Sequence, residues 1–240
     1  MLIISLFLLL LAGPFIESGN HLTKEPEVSA FVPGDTVPEE YLRIHGADDF
    51  FHIDTISSTL FLRIKGKSYK PNCTTPLKDL RYLRVLHRNI EGKTLVGEMI
   101  LNRKIAAEVL DILRQLYNAS YPIEKMRLID DYDANDLASA RANNSSGFNF
   151  RFVSHTQTVS MHGKGMAVDI NPFYNPYFRR LPNGKEILEP EEARNYLDRN
   201  ARFPYKISRG DLCHQLFTQH GFSWGGTWKS CKDYQHFEKK

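Results

Sequence analysis

The residues best suited to chemistry are two histidines and two aspartates in two short segments. His162 precedes Asp169 in the first segment, and Asp233 precedes His236 in the second. Imidazole and carboxylate groups are usual ligands of a catalytic zinc ion, which keeps three protein ligands and one open coordination position. We therefore predict that His162, Asp169 and His236 bind one zinc ion per chain.

The fourth residue, Asp233, is predicted to be a base rather than a ligand. Asp233 and His236 are close enough in sequence for both side chains to face one centre across a single turn. If His236 binds the metal, Asp233 can accept a proton from zinc-activated water and pass it to the leaving amine.

The elements that must position these groups follow from the local pattern. Apolar and other residues alternate over residues 166–171, which is typical of a half-buried strand and places Asp169 opposite the apolar side chains. Gly163 and Gly165 come just before this strand and permit a tight bend. The bend can bring His162 to Asp169.

Taken together, these motifs resemble the zinc D-alanyl-D-alanine carboxypeptidase family, the VanY-like peptidases that include L-alanyl-D-glutamate endopeptidases. The resemblance covers roughly residues 80–240. It implies an α+β fold of the Hedgehog/DD-peptidase type, in which a small antiparallel sheet carries the zinc ligands and helices pack outside. The matching motifs are Ser160-x-His162-x-x-Gly165-x-Ala167-x-Asp169, Trp224-Gly225-Gly226-x-Trp228 and Asp233-x-x-His236-Phe237-Glu238.

The resemblance also assigns roles to individual residues. Asp233 takes the place of the family's general base, where many members carry Glu. The family's arginine at the position of Arg151 contacts substrate near the scissile group, so Arg151 is expected to anchor a substrate carboxylate or to assist catalysis. Ser160 is expected to donate a hydrogen bond to the substrate or to the groups around the metal. Trp224 is expected in the core and is a candidate for the wall of the substrate groove.

The activity that the resemblance implies is hydrolysis of peptidoglycan stem peptides. The bond stays open between terminal D-Ala-D-Ala, for a carboxypeptidase, and L-Ala-D-Glu, for an endopeptidase. The alternative is a non-catalytic, zinc-stabilised domain on the same scaffold that binds cell wall or protein. Asp233 argues against this alternative because a pure binding site needs no base.

Composition is ordinary for a globular protein, and the ends of the chain add two expectations. Of 240 residues, 42% are hydrophobic and 25% are charged, and the net charge of +3 without a long basic run argues against nucleic acid as a partner. The apolar run over residues 2–12 suits a secretory signal within residues 1–18 and is too short to span a membrane, so export is expected. In an exported protein, Cys213 and Cys231 are the expected disulfide pair.

The remaining chain is divided into an N-terminal arm, residues 19–76, and the zinc peptidase domain, residues 77–240. Residues 48–64 are expected to include a strand or two. Within the domain the pattern predicts the following elements: a strand over 95–101, an N-cap at Asn102 and a helix to about Tyr117, strands over 123–129 and 148–153, a helix opening at Pro190, and a capping box from Ser208 to Asp211.

Overall fold

A computed structural model describes residues 27–153 and 156–240, so the signal sequence expected within residues 1–18 lies outside the described part. The described residues form five α-helices and eleven short strands, which confirms the predicted α+β class. In chain order the elements are α1 Glu39–His45, β1 His52–Thr55, α2 Ser58–Ile64, β2 Leu80–Arg88, β3 Thr94–Asn102, α3 Ala106–Asn118, β4 Lys125–Met126, α4 Asp136–Arg141, β5 Asn144–Ser145, β6 Ala167–Asp169, β7 Tyr177–Arg180, β8 Glu186–Glu189, α5 Leu212–Gln219, β9 Ser223–Trp224, β10 Lys232–Asp233 and β11 His236–Glu238.

Short 3₁₀ helices connect several of these elements. They are Val28–Ala30, Asp48–Phe50, Leu77–Asp79, Ile129–Tyr132, Glu191–Leu197 and Gly225–Thr227. Within the described residues, no helix is long and apolar enough to cross a lipid bilayer.

The largest sheet is antiparallel, with strand order β1-β2-β3, and α3 packs against it. Strands β2 and β3 pair along their whole length, from Leu80 opposite Asn102 to Arg88 opposite Thr94. The buried side chains of α3 recur at helical spacing, because one face of the helix covers the sheet. Each large apolar side chain buried in this way stabilises the fold by about 2 kcal/mol.

The N-terminal segment borders this sheet on both sides. Strand β1 adds to β2, while the backbone of residues 34–37 runs along the outer edge of β3. Gly34 N donates to Val96 O at 2.7 Å, and Val37 N donates to Thr94 O at 2.9 Å. The residues before position 77 therefore complete the first sheet and cover its edges.

A buried ion pair ties α2 to the same sheet. Glu98 of β3 is fully buried, and its two carboxylate oxygens accept from both terminal nitrogens of Arg63, at 2.5 and 2.7 Å. Tyr82 donates to the same carboxylate at 3.0 Å. Because a buried carboxylate without a cation is costly, Arg63 fixes the position of α2 on the sheet.

The second sheet, with order β6-β11-β9, is small and antiparallel. In its register, His236 is opposite Asp169 and Phe237 is opposite both Val168 and Trp224. Phe237 is fully buried and stacks on Phe217 of α5, with ring centroids 4.3 Å apart. The stacked rings hold β11 between the helix and its neighbouring strands.

The third sheet, with order β10-β7-β8, lies beside the second in sequence because β10 and β11 follow one another. Asp233 of β10 is opposite Tyr177 of β7, and Tyr177 is opposite Glu189 of β8. Asp233 therefore stands on the same face of this sheet as those two side chains.

Several predicted element boundaries need correction near α3. The helix ends at Asn118, as predicted, but Asn102 is not its N-cap. Asn102 is the last residue of β3, and its side-chain oxygen accepts from Lys104 N, while Ile105 occupies the cap position. The predicted strand over 123–129 shrinks to the two residues of β4.

The predicted strand over residues 148–153 is also wrong. Phe148 and Phe150 are buried as the alternation suggested, but Phe148 N donates to Ile100 O and Phe150 N donates to Ser68 O. The backbone thus pairs with separate partners instead of one neighbouring strand. In residues 48–64, β1 confirms a strand, whereas the apolar residues after it form helix α2.

Two helix starts differ from the expectation. The segment after Pro190 is a 3₁₀ helix rather than an α-helix. Asp211 is itself the N-cap of α5, since its carboxylate accepts from His214 N at 2.8 Å. It also accepts from Ser208 N at 2.8 Å, which is the contact expected of the acid in a capping box, but Ser208 lies before the helix and does not cap it.

The expected disulfide between Cys213 and Cys231 is wrong, because all three cysteines are free. Cys213 is fully buried on α5 beside Tyr121. Cys231 lies next to Tyr177 of β7. The two thiols thus contact different parts of the molecule.

Candidate metal centre

Three donor groups meet where β6 and β11 pair. His162 Nε2 lies 3.1 Å from Asp169 Oδ2, His236 Nδ1 lies 3.1 Å from Asp169 Oδ1, and the two ring nitrogens are 3.1 Å apart. The structure thus brings together the three residues expected as ligands, and all three donor atoms lie within 4.8 Å of one another. Two ring nitrogens facing each other at this distance need a proton or a cation between them.

Hydrogen bonds on the far side of each imidazole fix which nitrogen faces the centre. His162 Nδ1 is 2.7 Å from the carbonyl oxygen of Gly147, and His236 Nε2 is 3.2 Å from Glu238 Oε2. A carbonyl or carboxylate can only accept, so each of these nitrogens carries a proton. His162 Nε2 and His236 Nδ1 are then the nitrogens that face the centre and can bind a metal ion in place of a proton, which is the usual arrangement around a metal-binding histidine.

The charges in the cluster favour a bound cation. Burial alone raises the pKa of Asp169, but the charges and hydrogen bonds of His162 and His236 outweigh it and hold the pKa well below its usual range. Burial alone lowers the pKa of His236, but hydrogen bonds to Asp169 and Glu238 raise it to about 10. The two imidazole nitrogens and the Asp169 carboxylate therefore stabilise positive charge at the centre. This combination of groups fits the donor set of a zinc ion.

Ser160 and two glycines form the turn that carries His162. The hydroxyl oxygen of Ser160 accepts from Gly163 N at 3.0 Å, and Gly165 N donates to His162 O at 2.9 Å. Gly165 has a φ of +68°, and a Cβ at this position would lie 2.7 Å from Asn102 N. The turn therefore requires glycine at position 165.

Asp233 lies beside the cluster without joining it. Its Oδ1 accepts from Gln235 Nε2 at 3.1 Å, and burial raises its pKa to about 6. The opposite side is packed against Gly225, where a Cβ would lie 2.6 Å from Asp233 O and 2.8 Å from Asp233 Cβ. A carboxyl group that has a raised pKa and is not itself a metal ligand is suited to proton transfer.

Arg151 reaches the same region from outside the sheet. Its Nε lies 2.6 Å from Asp136 Oδ2 of α4, and its backbone oxygen accepts from Ser160 N at 2.9 Å. Asp136, the first residue of α4, therefore holds the arginine that is predicted to contact substrate.

The two tryptophans of the second motif have different surroundings. Trp224 is buried, donates from its indole to Tyr234 O at 2.8 Å, and stacks on Phe237, so it belongs to the core and does not line the cavity. Trp228 lines the cavity, with its ring centroid 5.3 Å from that of His236. The substrate-groove role considered for Trp224 is therefore better filled by Trp228.

The cluster opens into a cavity of about 770 Å³, which is large enough for a peptide of several residues. Its lining includes the three candidate ligands, Asp233, Arg151 and Ser160. Sequence reasoning missed several further lining residues. They are Tyr177 and Arg179 of β7, Ile187 and Glu189 of β8, and Cys231, which lies just before β10. Neither Tyr177–Arg180 nor Glu186–Glu189 alternates between charged and other residues, so no local pattern identified these residues.

Comparison with known proteins supports the same interpretation. Residues 154–239 match the family model described as D-alanyl-D-alanine carboxypeptidase. This match confirms the family resemblance that the motifs predicted, and it covers His162, Asp169, Asp233 and His236. Arg151 lies before the matched segment. No curated protein and no solved structure matches the chain.

Proposed function

We propose that the protein is an exported zinc peptidase that hydrolyses peptidoglycan stem peptides, at either the D-Ala-D-Ala or the L-Ala-D-Glu bond. The observation that carries this proposal is the cluster of His162, Asp169 and His236 in a cavity next to an uncommitted Asp233. The family match supports a peptidase class. The apolar run over residues 2–12 supports export.

Each residue has a role that its surroundings suit. A zinc ion held by His162 Nε2, Asp169 and His236 Nδ1 would supply Lewis acidity that polarises the scissile carbonyl and activates water. Asp233 accepts the proton of the attacking water and donates it to the leaving nitrogen. A carboxyl group with a pKa of about 6 is mostly ionised at neutral pH and can accept the proton of water, and the raised pKa makes the protonated form accessible for the donation step.

Arg151 is assigned to the substrate. Its ion pair with Asp136 holds the side chain at the cavity wall and leaves the terminal guanidinium nitrogens for an anionic or carbonyl group. Ser160 has a positioning role, because its hydroxyl oxygen accepts from Gly163 N in the turn that carries His162. The same hydroxyl keeps its O–H for donation to the substrate or to the groups around the metal.

The experiment compares Asp233→Asn with His162→Ala. We expect Asp233→Asn to keep about one zinc ion per chain, because Asp233 is not among the three donors, and to lose about 10²- to 10⁴-fold in hydrolysis rate. His162→Ala should lose zinc and activity together. Zinc is measured by elemental analysis, and hydrolysis by mass spectrometry of muropeptide products, which also identifies the bond.

Three outcomes would change the assignment. Loss of zinc in Asp233→Asn would make Asp233 a ligand, and full activity in that variant would place the base elsewhere, with Glu238 as the next candidate. A zinc-loaded wild-type protein that binds muropeptides without cleaving them would favour the non-catalytic alternative on the same scaffold.

A further inference from the structure

The β10-β7-β8 sheet presents one face to the cavity, and we call this face the cavity wall. Asp233, Tyr177, Arg179, Ile187 and Glu189 stand on it and line the cavity. Their register agrees with this arrangement, because directly opposite residues share a face: Asp233 with Tyr177, Tyr177 with Glu189, and Arg179 with Ile187. The other face of the sheet does not line the cavity.

The charged side chains on the far face of the sheet form ion pairs, whereas Arg179 and Glu189 on the cavity wall form none with the described residues. On the far face, Arg180 binds Glu186 at 2.6 Å, and Arg194 binds the same carboxylate at 3.0 Å. On the cavity wall, neither Arg179 nor Glu189 forms an ion pair with any described residue within 4.0 Å. Both side chains are exposed to the cavity. Among the described residues of the wall, Arg179 is thus a free cation and Glu189 is a free anion, in addition to Asp233, which is assigned to proton transfer.

The two charges are diagonal neighbours on adjacent strands. Arg179 is opposite Ile187, and Glu189 follows two residues later on the same strand and the same face. The backbones of diagonal neighbours are about 7–8 Å apart, which is within reach of long side chains, yet the structure forms no ion pair between Arg179 and Glu189. Both charges are therefore available to a ligand, and an ammonium and a carboxylate on one carbon can bind one to each side chain through charge-assisted hydrogen bonds of about 2.8 Å.

Tyr177 lies beside Arg179 at the cationic end of the wall. The positive charge of the Arg179 guanidinium acts on the phenol and opposes the rise in its pKa that burial causes, so the two side chains are close neighbours on the wall. Arg151, by contrast, already has Asp136 as its ionic partner. Arg179 is therefore available to bind a second carboxylate of the substrate.

We propose that Arg179 and Glu189 form a subsite for an amino-acid zwitterion, with Arg179 binding the carboxylate and Glu189 the ammonium. The inference rests on the proposed function, since it names the substrate group that the peptidase selects. The matching substrate class is a peptide with a side chain that ends in an ammonium and a carboxylate on the same carbon.

Three stem peptides that differ only in one side chain test the subsite. The side chain is lysine, which ends in an ammonium alone; diaminopimelate, which ends in both groups; or diaminopimelate with that carboxylate amidated. We expect zinc-loaded wild-type protein to prefer free diaminopimelate over the other two by about tenfold in kcat/KM, through KM, as one charge-assisted contact implies.

Single substitutions test the contributions of Arg179 and Glu189 separately. Arg179→Gln should abolish the preference for the free carboxylate and leave kcat unchanged. Glu189→Gln should raise KM for all three peptides, because each carries the ammonium. Arg180→Gln is the matched control, because Arg180 is the next residue on the far face, and it should change neither value. A preference that survives Arg179→Gln, or that Arg180→Gln reduces equally, would overturn the subsite.

A binding measurement distinguishes this inference from the hydrolase proposal. The affinity of the three peptides for Asp233→Asn protein is measured by calorimetry. Binding that discriminates between them without hydrolysis by wild type would retain the subsite and reject the peptidase. Hydrolysis by wild type without discrimination in either assay would retain the peptidase and reject the subsite.

Discussion

At the scale of single residues, the hydrogen bonds behind the imidazoles matter as much as the donor atoms themselves. In the sequence, Glu238 is only the last residue of the third family motif. In the structure it orients His236, since its carboxylate accepts from Nε2 while Nδ1 faces Asp169. Among the described residues, no other side chain accepts a hydrogen bond from His236 Nε2.

Replacing Glu238 by Gln should therefore weaken zinc binding about tenfold, because the neutral amide is a weaker acceptor for the imidazole N–H. Zinc affinity is measured by competition with a chromophoric chelator. Asp233→Asn serves as the control, because it removes a nearby carboxylate charge without touching His236. Equal affinity in Glu238→Gln and wild type would show that the ring is held by packing alone.

Gly225 gives a second prediction at this scale, since its backbone packs directly on Asp233. Gly225→Ala should push β10 away and misplace the base, with a fall in kcat of about 10²-fold and little loss of zinc. The assays are those used for Asp233→Asn. Wild-type kcat in Gly225→Ala would mean that the position of Asp233 is not critical.

At the scale of elements, the sequence predicted what local pattern encodes. The alternation around Asp169, the helix up to Tyr117 and the spacing of the two motifs were sufficient to predict one strand, one helix and three grouped donors. Residues 148–153 have the same kind of alternation and form no strand, because Ser68 and Ile100, both distant in sequence, take the backbone hydrogen bonds. Hydrogen-bond partners that are so distant in sequence cannot be predicted from the residues of a short segment.

The cavity wall escaped prediction for a related reason. Residues 177 and 233 become neighbours only when β7 pairs with β10, and the sequence between them gives no indication of this pairing. The sequence also does not show which of Trp224 and Trp228 lines the cavity, although the two residues are only four positions apart. The 3₁₀ turn at Gly225–Thr227 sends one indole to the core and the other to the cavity.

Strand β2 also carries a buried histidine that sets part of the acid sensitivity. His87 is fully covered, and its Nδ1 donates to Ile123 O at 2.7 Å. Burial lowers its pKa to about 4, against about 6.5 in an unfolded chain. Below pH 6.5 the unfolded chain takes up the proton and the folded protein does not, so stability falls as pH drops from 6.5 to about 4.

We expect this titration to contribute about 3 kcal/mol across that window. His87→Gln keeps a donor without a titrating group, so its free energy of unfolding should depend less steeply on pH than that of wild type. Urea unfolding at pH 4.5 and 7.5 in excess chelator measures the difference. Parallel pH profiles for the two proteins would contradict the assignment.

At the scale of the whole molecule, the N-terminal segment and the metal centre are separate but mechanically linked through β3. The family match begins at residue 154, whereas the first sheet and its covering segment lie before it. Asn102 at the end of β3 donates from its backbone nitrogen to Gly165 O at 2.8 Å. The turn that carries His162 therefore rests on a sheet that the N-terminal residues complete.

We predict that Arg63→Met lowers the free energy of unfolding by about 3 kcal/mol, because it leaves the Glu98 carboxylate with less compensation in a buried position. Arg43→Met is the matched control, since Arg43 pairs with Glu40 at an exposed position on α1. Urea denaturation of both variants gives the comparison. A chain that begins at residue 77 lacks Arg63 as well as β1, so we expect it to be less stable than either variant.

The register of β6 against β11 has one further consequence, in the heat of metal uptake. Backbone hydrogen bonds hold Asp169 opposite His236, so most of the conformational entropy of gathering these donors is lost when the chain folds. Zinc fingers differ, because there the ion and the fold form together. Calorimetric titration of this protein with zinc should therefore give a small heat-capacity change, and circular dichroism should be almost the same before and after the ion binds.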